Sequence, residues 1–186
     1  MEDLVEKSIH GNKNAYTELM NMIKNDLYRV ASARLDNIED VNDAINETIL
    51  KSYKNLKKLK NVAYFKTWIT KILINECNNI YRINKKHKEI LEKVTVIEEK
   101  HFFESYENNI SKLEDKLNFE MVIDNLNYDE KIIIILYYNN RHTVSDIADI
   151  LNMNVNTVKS KLLRAKEKIK QKMEGVNYDG TTGQIR

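Results

Sequence analysis

Six polar or cationic side chains, Asn156, Thr157, Lys159, Ser160, Lys161 and Arg164, fall within nine consecutive positions of this chain. Amide, hydroxyl, ammonium and guanidinium groups gathered this closely suit one kind of chemistry, the hydrogen bonding of base edges and the neutralisation of phosphates. From Asn154 to Met173 the chain carries seven bases (Lys159, Lys161, Arg164, Lys166, Lys168, Lys170 and Lys172) against the single acid Glu167, a local net charge of +6. For a lysine-rich helix standing alone, an ordinary solvated face would explain that charge. The residues that precede it favour a polyanion.

Those residues must build the element that positions the six side chains. Ile147, Ala148 and Leu151 lie on one helical face, and so do Val155, Val158 and Leu162, so two short helices each have an apolar stripe to bury. Asn152-Met153-Asn154 separates them, and Asn tolerates the left-handed backbone that a tight turn needs. Thr143 with Asp146 three residues on suits a capping box, and Asn154 can cap the second helix. Two capped helices joined by a tight turn form a helix-turn-helix, whose second helix is expected to enter the major groove of DNA.

Charge in the N-terminal half is sorted by segment. Asp36, Glu39, Asp40, Asp43 and Glu47 stand together without a base, and Lys51, Lys54, Lys57, Lys58, Lys60, Lys66 and Lys71 follow without an acid. Such segregation predicts two partners, a basic protein surface for the acids and a nucleic-acid backbone for the lysines. Tyr53, Tyr64, Phe65 and Trp68 interleave with the lysines, and flat rings beside cations suit unpaired bases. Phe65 is expected to pack into the core. Trp68 stands open between core packing and base stacking.

Composition narrows the classes. The chain has 186 residues, a net charge of only +2, no Pro and four Gly, which predicts an all-α protein whose polyanion binding comes from segregated charge. Cys77, the single cysteine, cannot form an internal disulfide and is expected as a buried thiol in a reducing compartment. Neither a membrane span nor a signal peptide is legible, so a cytoplasmic protein is expected. His10, His87, His101 and His142 lack metal-ligand spacing, and no glycine-rich phosphate loop occurs. No metal, cofactor or small-molecule substrate is therefore expected, and an enzyme is the least favoured class.

Helical periodicity runs from Asn14 to Leu35, from Ile38 (capped by Asn37) to about Leu56, and from Tyr64 to about Arg82, with Lys57–Asn61 as a loop. From Lys86 to Glu114 five Lys meet seven Glu and periodicity fades, which predicts a flexible acidic linker. Helices are expected again at Leu117–Leu126 and Ile132–Tyr138, the latter with a capped start at Asn127-Tyr128-Asp129-Glu130, and a frayed tail from Gly175. The expected division is 1–86, a linker 87–114, 115–174 and a tail 175–186.

An acidic helix, a basic-aromatic helix, a linker and a helix-turn-helix, in that order, resemble the bacterial extracytoplasmic-function (ECF) sigma factors of RNA polymerase. Asp40-Val-Asn-Asp-Ala-Ile-Asn-Glu-Thr-Ile-Leu-Lys-Ser-Tyr-Lys-Asn-Leu56 is similar to the family's core-binding helix, and Tyr64-Phe-Lys-Thr-Trp-Ile-Thr-Lys-Ile-Leu-Ile-Asn-Glu-Cys-Asn-Asn-Ile-Tyr-Arg82 to its promoter-melting segment. Leu126–Leu136 and Thr157–Lys166 resemble its last domain. Asn46, Ile49, Asn127 and Asn152 depart from common Gln, Phe, Pro and Gly. The resemblance implies two small helical domains, a sigma region-2 domain and a sigma region-4 helix-turn-helix domain, joined by the acidic linker.

It also implies roles. Asp40, Asp43, Asn46, Glu47 and Tyr53 would face the β′ clamp helices of core RNA polymerase, while the last domain would meet the β flap. Lys60, Asn61, Val62 and Ala63 would hold a base flipped from the −10 element, with Trp68 and Lys71 at the bubble's upstream edge. Asn156, Thr157, Lys159, Ser160, Lys161 and Arg164 would dock the −35 element. Glu98, Glu99, Glu104 and Glu107 would thread the polymerase as mimics of RNA charge. An anti-sigma factor, often membrane-bound in this family, would hold the protein inactive until a stress or envelope signal. About 28 extended linker residues reach roughly 95 Å, and promoter elements two helical turns apart need roughly 70 Å. The alternative is a conventional helix-turn-helix regulator with an N-terminal sensing or dimerisation domain, which leaves the segregated N-terminal charges without a purpose.

Overall fold

The structure, a computed structural model, describes residues 1–91 and 126–179, which form seven α-helices and no strand. The expected helix over Leu117–Leu126 lies outside the described residues apart from Leu126, and so do the linker glutamates Glu98, Glu99, Glu104 and Glu107.

Helices α1 (Glu2–Ile9) and α2 (Lys13–Ser32) are joined at Gly11, whose φ of 92° only glycine adopts without strain. Asn12 caps α2 by accepting from the Ala15 N–H at 3.1 Å. Leu19, Ile23, Leu27 and Val30 recur along one face of α2 and are buried against Val41 and Ala44 of α3 (Ile38–Asn55) and Phe65, Ile69 and Leu73 of α4 (Phe65–Leu91). Asn37 caps α3 through the Glu39 N–H, and Glu39 and Asp40 in its first turn complement the positive end of the helix dipole. Phe65 is core, as its spacing suggests, and Cys77 is fully buried.

Two boundaries differ from expectation. The loop after α3 holds a short 3₁₀ turn, Leu56–Lys58, anchored by buried Leu56, and a second, Val62–Tyr64, capped by Asn61 on the Ala63 N–H. Helix α4 continues past Arg82 to Leu91. Residues 83–91 keep good helix formers and no glycine or proline. Positions 81–87 are exposed on all sides, so the apolar periodicity fades without ending the helix.

The second half is built around α5 (Tyr128–Ile134). Asn127 and Glu130 form the capping box at its start. Ile132, Ile133, Ile134, Ile135 and Leu136 are all buried where α5 runs into the π-helical turn that follows it (Ile135–Asn139), while Tyr128 and Tyr138 at the two ends stay exposed. The chain reverses through Arg141, a left-handed residue at φ 56°, into α6 (Val144–Leu151). The Thr143–Asp146 capping box forms, Asn152 is left-handed (φ 53°, ψ 45°), and Asn154 accepts from the Asn156 N–H at 2.8 Å to start α7 (Val155–Asp179).

Here, too, there are corrections. Val155, expected in the buried stripe of the second helix, is 38% exposed, and the stripe is instead Val158, Leu162 and Ala165. Val155 opens the helix ahead of the turns that cross α5. The backbone of α7 also runs through Gly175 to Asp179, beyond the expected start of fraying, because nothing in Lys166–Glu174 breaks a helix.

The halves pack together, α6 against α4 and the π turn against α2. At one end Arg34, just past the end of α2, stacks over the Tyr128 ring, 3.8 Å from its centroid, and donates to Asn78, while Tyr81 stacks on Tyr128. At the other end α6 lies across the start of α4.

Candidate nucleic-acid interface

Helix α7 presents two chemically different sides. Asn156, Thr157, Lys159, Ser160 and Arg164 are exposed. Asn156, Ser160 and Arg164, four residues apart, share a stripe within about 80° of arc. The Ser160 hydroxyl donates to the Asn156 carbonyl at 2.9 Å, keeping its lone pairs outward. Arg164 makes no ion pair with any described residue, so its guanidinium is available to a ligand. Lys161 leaves this face: its Nζ donates to Asp129 at 2.8 Å and the side chain is half-buried.

Two more of the basic residues turn inward. Lys168 reaches the buried Glu130 at 2.7 Å, and Lys166 sits 5.0 Å from the Tyr137 ring centroid. Burial pushes the Glu130 carboxyl up, but the hydrogen bonds from Lys168 and the Asn127 N–H outweigh it and hold the group below the ordinary carboxylate value. The +6 of the sequence is therefore split, with three cations clamping α7 to α5 and the π turn and four (Lys159, Arg164, Lys170 and Lys172) on the outside.

In the other half Lys60, Asn61 and Ala63 are exposed and Val62 is half-buried against the core. The Asn61 side chain spends its carbonyl on the Ala63 N–H. Trp68 is half-buried, packed against Phe65 on one side and open on the other, so it serves the core and remains reachable. Lys71 Nζ lies 2.7 Å from Asp149 of α6, and Thr67 donates to Asp146 at 3.3 Å. Burial raises the Asp146 carboxyl, but bonds from the Thr143 hydroxyl and N–H overcome it and leave the group below its ordinary value. Two carboxylates of α6 thus sit against polar side chains at the start of α4.

Sequence reasoning passed over part of this face. Asn75, Asn79 and Arg82 follow Lys71 at helical spacing and, with Arg34, Asn78 and Tyr81, line an open cleft of about 630 Å³. The intervals of four, four and three from Lys71 were the available signal.

On α3, Asp43, Asn46, Glu47 and Tyr53 are exposed, and Asp40 is half-buried, accepting from Asn84 at 2.6 Å. Tyr53 meets Tyr16 edge-on at 4.9 Å. Leu50, 52% exposed on this same face, was not singled out from sequence, and it gives the acidic face an apolar centre. Lys51 is drawn into the helix pair, 3.5 Å from Glu47 and 2.7 Å from Glu76, and Lys66 pairs with Asp26 at 3.7 Å. Lys54, Lys57, Lys58 and Lys60 are left as the outward basic patch.

Burial pushes the Cys77 thiol up to about 12, which makes it inert as a nucleophile. No cluster of three or more potential metal ligands occurs among the described residues, and no described helix is long and apolar enough to cross a membrane.

The arrangement has counterparts among known proteins. Residues 19–87 match the family description "Sigma-70 region 2" and residues 116–169 match "Sigma-70, region 4". The RNA polymerase sigma factor SigV of Bacillus subtilis is 30% identical over 146 residues, covering 76% of this chain and 81% of that protein. The ECF RNA polymerase sigma-E factor of Haemophilus influenzae is 27% identical, covering 92% and 94%. Among solved structures, the sigma factor RpoE of Bartonella quintana, in complex with the anti-sigma factor NepR, shares the fold with a TM-score of 0.66 at 19% identity, covering 86% of this chain and 96% of that one. CnrH, in complex with the cytosolic domain of CnrY, gives a TM-score of 0.64 at 17% identity over 94% and 97% of the two chains.

Proposed function

Because this chain belongs to the ECF sigma factors of the sigma-70 family, alternative initiation factors that bind core RNA polymerase and promoter DNA, we propose that its surfaces divide that work residue by residue. Asp40, Asp43, Asn46, Glu47 and Tyr53, with Leu50 at the centre, form the core-polymerase face, the acids meeting the basic clamp helices of β′. Lys60, Asn61, Val62, Ala63, Trp68 and Lys71 engage the −10 element, and Asn156, Thr157, Lys159, Ser160 and Arg164 the −35 element. Lys161, tied to Asp129, acts by holding α7 in place.

The observation that carries this assignment is that the acid-and-apolar face of α3 and the polar face of α7 are both open to solvent on one chain, while Lys71 between them is taken by Asp149. Lys71 is thereby occupied in the free protein while Lys60, Asn61 and Ala63 stay exposed, and the halves part when the polymerase and both promoter elements are engaged. The limits 1–86 and 115–174 are the working division into domains. The chain acts in the cytoplasm, on a stress or envelope-response regulon. The anti-sigma partner of the Bartonella neighbour supports proposing such a partner here, against the same faces.

Run-off transcription from a promoter library, with and without core polymerase, tests the proposal. Product that appears only with core, from templates sharing −35 and −10 elements, is expected. Tight binding of a duplex operator by the protein alone, without transcription, would support the conventional helix-turn-helix regulator instead.

A further inference from the structure

His142 is buried where the two halves meet. It follows the left-handed Arg141 and immediately precedes the Thr143 cap, and the turn drives its ring into a crevice between α2 and α4. Only 6% of the residue is exposed. The cover comes from the other half, with Ile23 and Leu27 of α2 and Ile69 of α4 forming the apolar wall. The space left is about 10 Å³, room for one water at most. The ring's Nε2 faces the Thr70 hydroxyl of α4 at 3.5 Å. Asn140 Oδ1, two residues earlier and in the same crevice, is buried without a partner among the described residues.

Charged groups face the ring from every side, and their effects conflict. Asp26 from α2 and Asp146 from α6 favour an imidazolium, whereas Lys66 from α4 opposes one. Arg141, next in the chain, is exposed. Asp26 is already paired with Lys66, and Asp146 with Thr143 and Thr67, so neither carboxylate is free to close on the ring. A cation at this point would lose its water and gain no dedicated partner.

From this geometry we infer that His142 is a proton-operated latch on the closed form: the neutral ring seals the two halves together, and a charged ring drives them apart. Burial, the largest influence, holds the imidazole below its ordinary value, with Asp146 and Asp26 pulling the other way. The separated form, with the ring in water, titrates near the ordinary value of about 6.5. The open form therefore binds more protons than the closed one. Closure is pH-independent well above that value and weakens as pH falls through about 6.5. It continues to weaken, by at most about tenfold per pH unit, down to the depressed value of the closed form. Arg34 on Tyr128 and Lys71 on Asp149 also join the two halves, and both contacts are left in place in the His142 variants.

The inference rests on the reading in which promoter binding needs parted halves, and it is tested on the free full-length chain without polymerase or DNA. Transcription with core at constant pH tests that reading alone. Small-angle X-ray scattering from about pH 8 to about pH 5.5 should show the largest dimension growing as pH falls through roughly 6.5. His142→Gln should stay compact throughout, and His142→Arg, a fixed cation, should be extended even at the top of the range. An NMR titration of the wild-type imidazoles, with His142 assigned by its loss in the Gln variant or by sequential connectivity, should place His142 below the ordinary imidazole value of about 6.5. A wild-type curve that does not move, a Gln variant that opens with the wild-type profile, or a His142 ring titrating at or above the ordinary value would each overturn the latch. The wild-type titration decides the matter even if neither variant folds.

Discussion

Lys71 Nζ and Asp149 Oδ1 are 2.7 Å apart, and this contact ties a lysine of α4 to the first helix of the helix-turn-helix. Both side chains are substantially exposed, at 41% and 62%. An exposed pair is worth about 0–1 kcal/mol, so it restrains the closed form softly. Asp149→Ala should therefore raise the free protein's affinity for single-stranded −10 DNA by at most about fivefold. Asp149→Lys, which places like charges together, should raise it further. Fluorescence anisotropy at low and high salt checks both, and equal affinity in all three proteins would show that the closed form does not guard Lys71.

The acidic face of α3 makes a separate prediction. Asp43→Lys with Glu47→Lys should cut association with core polymerase at least tenfold, because two reversed charges now meet a basic clamp. Both residues are exposed, so the melting temperature should stay within a few degrees. Competition against the unaltered protein for limiting core reads the first effect, and calorimetry the second. Undiminished competition would remove this face from core binding. Leu50→Ala should lower competition without altering its salt dependence.

Much of the site-bearing structure was legible because local chemistry decides it. The Thr143–Asp146 box and the Asn37, Asn127 and Asn154 caps each follow from a side chain within three residues of the backbone group it satisfies, and the left-handed Asn152 from the residue's own backbone tolerance. What sequence missed is non-local. The pull of Asp129 on Lys161 joins residues 32 apart, and that of Asp149 on Lys71 joins residues 78 apart. Neither partner lies near in the chain, so a count of bases placed both lysines on an open face. Val155 was assigned to the buried stripe because its type fits, although the first turn of α7 lies beyond its neighbour. Helix α4 outran its apolar periodicity for the reverse reason, since a helix with solvent all round needs propensity and no stripe.

Glu130 should govern the acid stability of the C-terminal half. Its carboxylate accepts from the Asn127 N–H at 3.1 Å and from Lys168 at 2.7 Å while almost fully buried. Because its value is lowered by folding, its stabilisation is fully present above the ordinary carboxylate value of about 4.3 and is lost as pH falls through the depressed value. Glu130→Ala should cost about 1–3 kcal/mol at neutral pH, from the lost cap and the lost bond to Lys168. Glu130→Gln, which keeps the acceptor, should cost less and should flatten the acid limb. Hydrogen exchange at Ile132–Leu136 across pH reads both, and an acid limb unchanged in the Gln variant would assign it to another group.

Base reading and phosphate holding should separate along α7. Arg164 shares the exposed stripe with Asn156 and Ser160 near the helix start, where the groove floor is within reach. Lys170 and Lys172 lie one and a half to two turns farther on, where a straight helix leaves the groove. Arg164→Ala should cost about 1–3 kcal/mol on the preferred −35 element and relax selection at one or two positions. Replacing Lys170 and Lys172 together should weaken all sequences about equally and lower the salt slope by up to about 2. Lys161→Ala serves as the internal contrast: with its Nζ on Asp129, it should lower stability while leaving −35 preference intact. A selection from randomised −35 elements, run with each variant on core polymerase, distinguishes the three. An Arg164→Ala protein that keeps the original preference would assign Arg164 to the backbone, and a Lys161→Ala protein with altered preference would return Lys161 to the groove.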